Sequence, residues 1–482
     1  LFFVVVAHAV SEILTVDVKA PAAHELKNLH TFYVLQNDRP NALSAAYMRF
    51  ENVTAKSTTQ AFTNDALASY GGIELVFVLW DDFQKAINPT RFCCDDAAIL
   101  AKNCTEAQRN TLLIPPSFAP RVFRATAKFS VPQNVAAIPG SGAYHLVAVN
   151  CGAFDSAHLS ATVTVKSRFG YLPAVDYPKK SFFGWLVLAY CVAGFVWMML
   201  CLRWWPKLFG IQHCISAVVV LGLLEAGVWY WDLRVFNSRG SRNPVLYYLA
   251  ILFAVCKRSF SYLLALVASL GWGITRPYLE ASVGRRVRIL ACCFIVGDAV
   301  QQVVVPPRST CESSWVIVAL VFPVALLKSA VFVWTYSALS SLLSELKHRG
   351  QTARLQLFQR LATVLCCAVL VAAVSMVYQM LSSEHPFETG TWRAAWISED
   401  AVPHVLFFVV LLAMMWLWKP NDRSEEYAYS VQLDSVPATG FGKVSPSEEL
   451  DVEVGEDDES ENEDEDTSFW AQTQGNHDTP LD

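Results

Sequence analysis

A β-rich domain leading into a bundle of seven membrane-spanning helices, with a disordered acidic tail behind it, is the fold class the sequence predicts. Three observations predict it. The 482 residues are 54% hydrophobic and only 17% charged, with a mean hydropathy of +0.32, whereas a soluble domain runs to about 25% charged. Apolar runs of about 20 residues, the length a bilayer core demands, are confined to residues 181–418. Residues 10–178 carry instead short β-branched and aromatic runs separated by Pro, Gly and Asn, the pattern of strands and turns.

The chain opens "LFFVVVAHAV". This reads as the end of a secretory h-region followed by the small-x-small pattern Ala7-His8-Ala9. Residues 1–9 are then a leader remnant and the mature chain begins near Val10; a buried first strand is the alternative. The runs "ILTVDV", "HTFYVL", "YMRFENVT", "IELVFVLW", "RVFRATAKFSV", "YHLVAVN" and "HLSATVTV" follow. They predict an antiparallel β-sandwich over 10–178, a usual size for one domain. A cleaved leader would place this domain in the lumen of the secretory pathway. Asn52-Val53-Thr54 and Asn103-Cys104-Thr105 are glycosylation acceptors, and Asn88-Pro89-Thr90 is not, because proline fills the middle position. Cys93, Cys94, Cys104 and Cys151 are an even set of disulfide candidates with three possible pairings, and Cys311 is a further possible partner. The other eight cysteines lie in or at the ends of spans and read as small apolar core residues.

Seven spans are expected: Ser181–Leu202, Ile211–Trp231, Pro244–Leu270, Val287–Val305, Ser314–Ser340, Gln359–Leu381 and Pro403–Trp418. With the sandwich luminal, the three cytosolic loops carry Arg203, Lys207, Arg276, Arg285, Arg286, Arg288, Lys347, Arg349, Arg354 and Arg360. The luminal loops carry Arg234, Arg239, Arg242, Arg308 and Arg393. That asymmetry obeys the positive-inside rule. Residues 419–482 form a cytosolic tail. Thirteen Asp or Glu and no Lys or Arg fall between Ser447 and Asp466, so the rest of the chain holds 37 cations against 30 anions, a net +7. The acidic block reads as solvated and unfolded. Ser460 within it is a phosphorylation candidate that would add charge for a basic trafficking adaptor. "AYSVQL" is no Tyr-x-x-bulky signal, since Gln432 stands in the fourth place.

The spans are not uniformly apolar. Counting 1.5 Å per residue from the span ends, Lys257 lies about 20 Å deep, Glu225 about 21 Å, Asp298 about 17 Å and Lys328 about 21 Å. Within a core about 30 Å thick these share the middle of the membrane. Arg258 adjoins Lys257. Intramembrane charges are costly, usually face the bundle interior and tend to pair. Glu225, Lys257, Arg258, Asp298 and Lys328 therefore predict a polar mid-membrane cluster. Two readings stand: an ion-pair lock between helices, or a cavity holding a lipid headgroup, an acidic ligand or ions. His213 and His404, near span ends, read as interface packing.

Several stretches carry a family resemblance. "FGYLPAVDYPKKSFFGWLVLAYCVAGFVWMM", "IQHCISAVVVLGLLEAGVWYWD", "VCKRSFSYLLALVASLGWGITRP" with its Lys-Arg pair, "LWKPNDRSEEYAYSVQL" and "YHLVAVNCG" resemble the lung seven-transmembrane receptor family, the GOLD-domain seven-transmembrane proteins. The resemblance implies a GOLD-like luminal sandwich on a bundle similar to that of Wntless. It implies residence in Golgi and endosomal membranes and a part in endosome-to-Golgi retrieval, with cargo or a lipid-linked ligand held in the bundle. Some relatives have been proposed as cation channels or accessories to mechanically activated currents. A channel, or a regulator of a mechanically or pH-gated current, is therefore the second expectation, and a ligand-free scaffold the third.

Other classes find no support. "NPVLY", Asn243 to Tyr247, matches the NPxxY pattern of rhodopsin-like receptors, but it opens the third span, where Pro244 is a helix-start residue. No DRY-like triplet follows, so G-protein coupling is not expected. No HExxH, P-loop, G-x-S-x-G or spaced cysteine pair for zinc is present, so an enzyme, a metal and a cofactor are not expected. The surplus cations flank spans, which gives nucleic acid no binding face. The expected partners are membrane lipids and trafficking cargo or adaptors.

Overall fold

The structure is a computed structural model that describes residues 13–22, 24–36, 46–57, 73–87, 91–126, 134–152, 157–205, 208, 210–272, 280–304, 314–382 and 389–420. Residues 1–9, expected to be a leader remnant, lie outside the described residues, as do Cys311, Ser460 and the acidic block. The β-region comprises β1 (Ile13–Lys19), β2 (Glu25–Val34), β3 (Tyr47–Ser57), β4 (Ile73–Leu79), β5 (Phe123–Thr126), β6 (Asn134–Ala137), β7 (Gly142–Asn150) and β8 (Ala157–Lys166). They form two four-stranded antiparallel sheets, ordered β1-β8-β3-β6 and β2-β7-β4-β5. Seven strands coincide with the predicted runs. The eighth, β6, is only "NVAA", too short to show alternation, and is held by pairing with Tyr47 to Phe50 of β3.

Strands β4 and β7 are buried along nearly their whole length, because both of their faces are covered. Leu75 and Phe77 of β4 and Tyr144, Leu146 and Ala148 of β7 face the other sheet, meeting Val16, Met48, Phe50 and Val163. The alternate residues Val76, Val78, Val147 and Val149 pack under the excursion between β4 and β5, against Cys93, Leu112, Val122 and Cys151. Side chains alternate faces along a strand, so a continuous apolar run needs a layer on each side. That excursion carries two short helices, α1 (Trp80–Ala86) and α2 (Asp96–Leu100). Of the three possible pairings the structure holds Cys93–Cys151, which ties the excursion to the end of β7, and Cys94–Cys104.

The membrane region comprises α3 (Tyr177–Arg203), α4 (Gly210–Arg239), α5 (Pro244–Ser269), α6 (Ala281–Val304), α7 (Ser314–His348) and α8 (Thr352–Ser382). It ends with α9 (Thr389–Trp396), a π-helical turn (Ile397–Ala401) and α10 (Val402–Leu417). Helix α5 begins at Pro244, with the Asn243 side chain accepting from the Val245 amide at 3.0 Å. Among the described residues, six stretches are long and apolar enough to cross a membrane: α3, α4, α5, Phe322–His348, Arg354–Leu381 and Trp392–Leu417. Helix α6 carries Arg285, Arg286 and Arg288 near its start and Asp298, Gln301 and Gln302 further on. It packs between α5 and α7.

Two expectations about the spans are corrected. The last one does not begin at Pro403: the helix runs unbroken from Trp392, through the polar triplet Ser398-Glu399-Asp400. The triplet is tolerated because its polar groups find partners on neighbouring helices, as set out below. The free cysteines are not chiefly core residues either. Cys191, Cys292, Cys293, Cys366 and Cys367 face outward, and only Cys201 is buried. A thiol behaves as a small apolar group, which suits a hydrocarbon-facing surface as well as a core.

The sandwich meets the bundle through a defined seam. Asn237, at the end of α4, accepts from the amides of Tyr171 through its main-chain oxygen (3.1 Å) and of Leu172 through its side chain (3.2 Å). Its amide donates to the Phe169 carbonyl at 2.9 Å. Nearby, Gly240 has φ 77°, and a Cβ there would press on Ile13 and Tyr171 at 2.9 and 3.1 Å, so both its conformation and its space call for glycine. On the other side, the Ala174 amide donates to the Tyr33 carbonyl at 2.8 Å, and the Tyr33 ring lies 5.6 Å from that of buried Trp392.

Candidate functional site

Adjacent residues on a helix diverge by about 100°, and Lys257 and Arg258 illustrate the consequence. Lys257 turns inward from α5 and pairs with Glu225 of α4; both are almost wholly buried. Its ammonium also sits 4.5 Å from the centre of the Phe407 ring on α10, a favourable place for a desolvated cation. Arg258 turns toward α6 and meets Asp298 through Nη2 at 2.8 Å and Nε at 2.9 Å. Lys328 of α7 reaches the other carboxylate oxygen at 3.5 Å. The five predicted residues thus form two clusters on opposite sides of α5, in place of one shared cluster.

The clusters differ in character. Glu225 and Lys257 are enclosed, each with 4% of its side chain exposed. Asp298 is fully buried, but Arg258 and Lys328 keep 31% and 35% of their side chains exposed. One carboxylate serving two partly open cations leaves the outer cluster with a net positive charge.

His404, expected to pack at an interface, belongs to the inner cluster. Its ring stands edge-on to Phe183 at 5.2 Å and Phe182 at 6.3 Å. Its Nδ1 donates to the Asp400 carbonyl at 2.7 Å, and its Nε2 faces Glu225 Oε1 across 3.5 Å. A carbonyl only accepts, so Nδ1 must carry a proton. The contact with Glu225 is then a hydrogen bond only when a second proton lies between Nε2 and the carboxylate. The legible signal was a histidine following the polar triplet at the head of an otherwise apolar span.

A third set of charges lies where the sandwich meets the bundle, and sequence reasoning missed it. Lys179 of α3 bridges Asp176 and Asp400, each at 2.7 Å. Asp232, wholly buried on α4, pairs with Arg242 at 3.1 Å. The Arg242 guanidinium is packed among the rings of Tyr247, Phe236 and Trp229 at 4.8, 5.5 and 5.9 Å. By sequence Arg242 is only a flanking charge, and Asp232 and Asp400 are polar residues at the ends of their spans. No group of His, Cys, Asp and Glu suited to a metal ion occurs among the described residues.

Outside the bundle, Asn52 and Asn103 are both exposed. Asn52 has φ 53° and sits at an irregularity of β3, between Glu51 and Thr54.

The family model described as "GOST, seven transmembrane domain" matches residues 178–425, slightly more than half of the chain. Transmembrane protein 87A of Xenopus tropicalis is 30% identical over 278 residues, covering 58% of this chain and 50% of that protein. Transmembrane protein 87B of Mus musculus is 29% identical over 277 residues, 57% of this chain and 49% of that one. Membrane protein PTM1 of Saccharomyces cerevisiae is 24% identical over 370 residues, 72% and 69% of the two chains. The matches to the two vertebrate proteins thus span about half of their length.

Proposed function

The chain belongs to the GOST seven-transmembrane family, and from that premise we propose that it acts in protein traffic at Golgi and endosomal membranes. It does so as a receptor that holds cargo or a lipid-linked ligand in the membrane, with its sandwich luminal and its tail cytosolic. The observation that carries this reading is the outer cluster: one buried carboxylate, Asp298, shared by two partly open cations, Arg258 and Lys328. A net positive charge at mid-membrane is expensive unless something acidic completes it. The chemistry is binding, with no catalytic residue, cofactor or metal required. The disulfides support an oxidising lumen for the sandwich.

Lys328→Met removes the surplus cation while leaving the Arg258–Asp298 pair intact. Retrieval of cargo from endosomes to the Golgi should slow several-fold with unchanged yield of folded protein, and Glu225→Gln or Lys257→Met should disturb it as well. Purified protein in planar bilayers should stay electrically silent. Reproducible currents altered by these substitutions would overturn the receptor reading in favour of a cation channel. The orientation has its own check. Protein made in cells should shift on removal of N-glycans, and Asn52→Gln and Asn103→Gln should each abolish one glycan's worth of that shift. A chain without either glycan would place the sandwich on the cytosolic side.

A further inference from the structure

We infer that the seam and the mid-membrane pair are two ends of one conformational switch, with the π-helical turn Ile397–Ala401 as its moving part. The inference stands apart from the trafficking reading, since it concerns only how the two regions of the molecule sense each other.

The connection is continuous. The sandwich touches the last membrane helix where the Tyr33 ring packs on Trp392, at the end of β2. Trp392 lies on α9, which runs directly into the π-turn. Within the turn, Asp400 sends its side chain to Lys179 at the seam and its carbonyl to His404, both at 2.7 Å. His404 then faces Glu225, and Glu225 holds Lys257. Every link from the sandwich to the middle of the membrane is thus a ring contact, an ion pair, a hydrogen bond or continuous helix.

The π-turn makes this more than a chain of contacts. A π-turn accommodates an extra residue in an α-helix and is usually found at functional sites. Its displaced carbonyl needs an outside donor, and here Ser398 O receives Gln379 Nε2 at 2.6 Å and Ser375 Oγ at 3.4 Å, both from α8. The alternative arrangement is a tighter turn, bent at Pro403 because that residue has no N–H to offer the Glu399 carbonyl. Passing one residue through the turn rotates one flank by about 100° relative to the other. If the bundle holds α10, then Trp392 must leave Tyr33; if the seam holds α9, then His404 must leave Glu225. One element with two discrete arrangements, biased from both ends, is the physical requirement for coupling. The coupling must also be reciprocal.

Hydrogen–deuterium exchange of the full-length protein in lipid tests this without cargo or ligand. Tyr33→Ala acts at the sandwich end and His404→Gln at the membrane end. Each alone should speed exchange of amides 397–401 at least tenfold, and each should raise exchange at the far end: β2 for His404→Gln, and α10 from His404 onward for Tyr33→Ala. The double variant should be little faster than either single one. Trp392→Phe, which keeps an aromatic ring at the seam, should give a smaller response of the same pattern should Tyr33→Ala fail to fold. Effects confined to the mutated end, or rates that multiply in the double variant, would show that the seam is structural glue and overturn the switch. The outcome is independent of whether the outer cluster binds cargo.

Discussion

Replacing Glu225 with leucine is expected to cost the bundle about 3–5 kcal/mol, the usual penalty for removing one partner of a buried ion pair. Lys257 would then be left enclosed without its carboxylate, beside the face of the Phe407 ring. Lys257→Met should cost less, because Glu225 retains His404 across 3.5 Å. The double variant Glu225→Leu/Lys257→Met should recover most of the loss, since replacing both partners of a buried pair by apolar groups is often neutral. Thermal unfolding of the detergent-solubilised protein, followed by the recovery of monodisperse material, gives the order. Equal losses in the two single variants would mean that His404 does nothing for Glu225. A double variant as unstable as Glu225→Leu would mean that the pair matters through shape and not through charge.

That ordering rests on a feature the sequence could not display. Depth along a span can be counted from residue number, and Glu225, Lys257, Asp298 and Lys328 do carry the paired charges. Direction around a helix axis is harder, because it depends on which neighbour each face meets. Lys257 and Arg258, adjacent in sequence, face different helices and so serve different carboxylates. His404 was hidden for a similar reason: its partner is set by the π-turn, which shifts the register of everything beyond it, and no periodicity argument anticipates an inserted residue. Strand runs were legible in the sandwich because β4 and β7 are covered on both faces, whereas β6 has too few residues to show a pattern. The disulfide pairing depended on where the excursion after β4 folds back, which spacing alone leaves open. Charge at the span ends misled most. Asp232, Arg242, Lys179 and Asp400 look like ordinary flanking residues until the sandwich closes over them.

Acidification should loosen the sandwich at its centre. His30 on β2 and His145 on β7 are buried, and burial holds each imidazole down at about 4, well below the ordinary 6.5. His145 Nδ1 is engaged by the Asn28 amide at 2.8 Å and lies 3.1 Å from the Thr31 hydroxyl, and its ring packs on Trp80. That arrangement suits a neutral ring. Between pH 6.5 and 4 the unfolded chain binds protons that the folded one refuses, so stability is full above 6.5 and falls as pH drops through that window. At pH 5 the loss is about 2 kcal/mol for each histidine. Glu74, buried on β4, works in the opposite sense: burial raises its carboxyl, so the folded state gains protons first and recovers part of the loss on acidification. The net effect should therefore be smaller than the two histidines together. Hydrogen–deuterium exchange of the β2 and β7 amides at pH 7 and pH 5, corrected for intrinsic rates, should show the opening free energy falling on acidification. His30→Phe and His145→Asn should each flatten the fall, the second keeping an acceptor in place of Nδ1 without a group that titrates. An unchanged slope in both variants would assign the acid sensitivity to carboxylates elsewhere, whereas a flattened slope in either places it between β2 and β7.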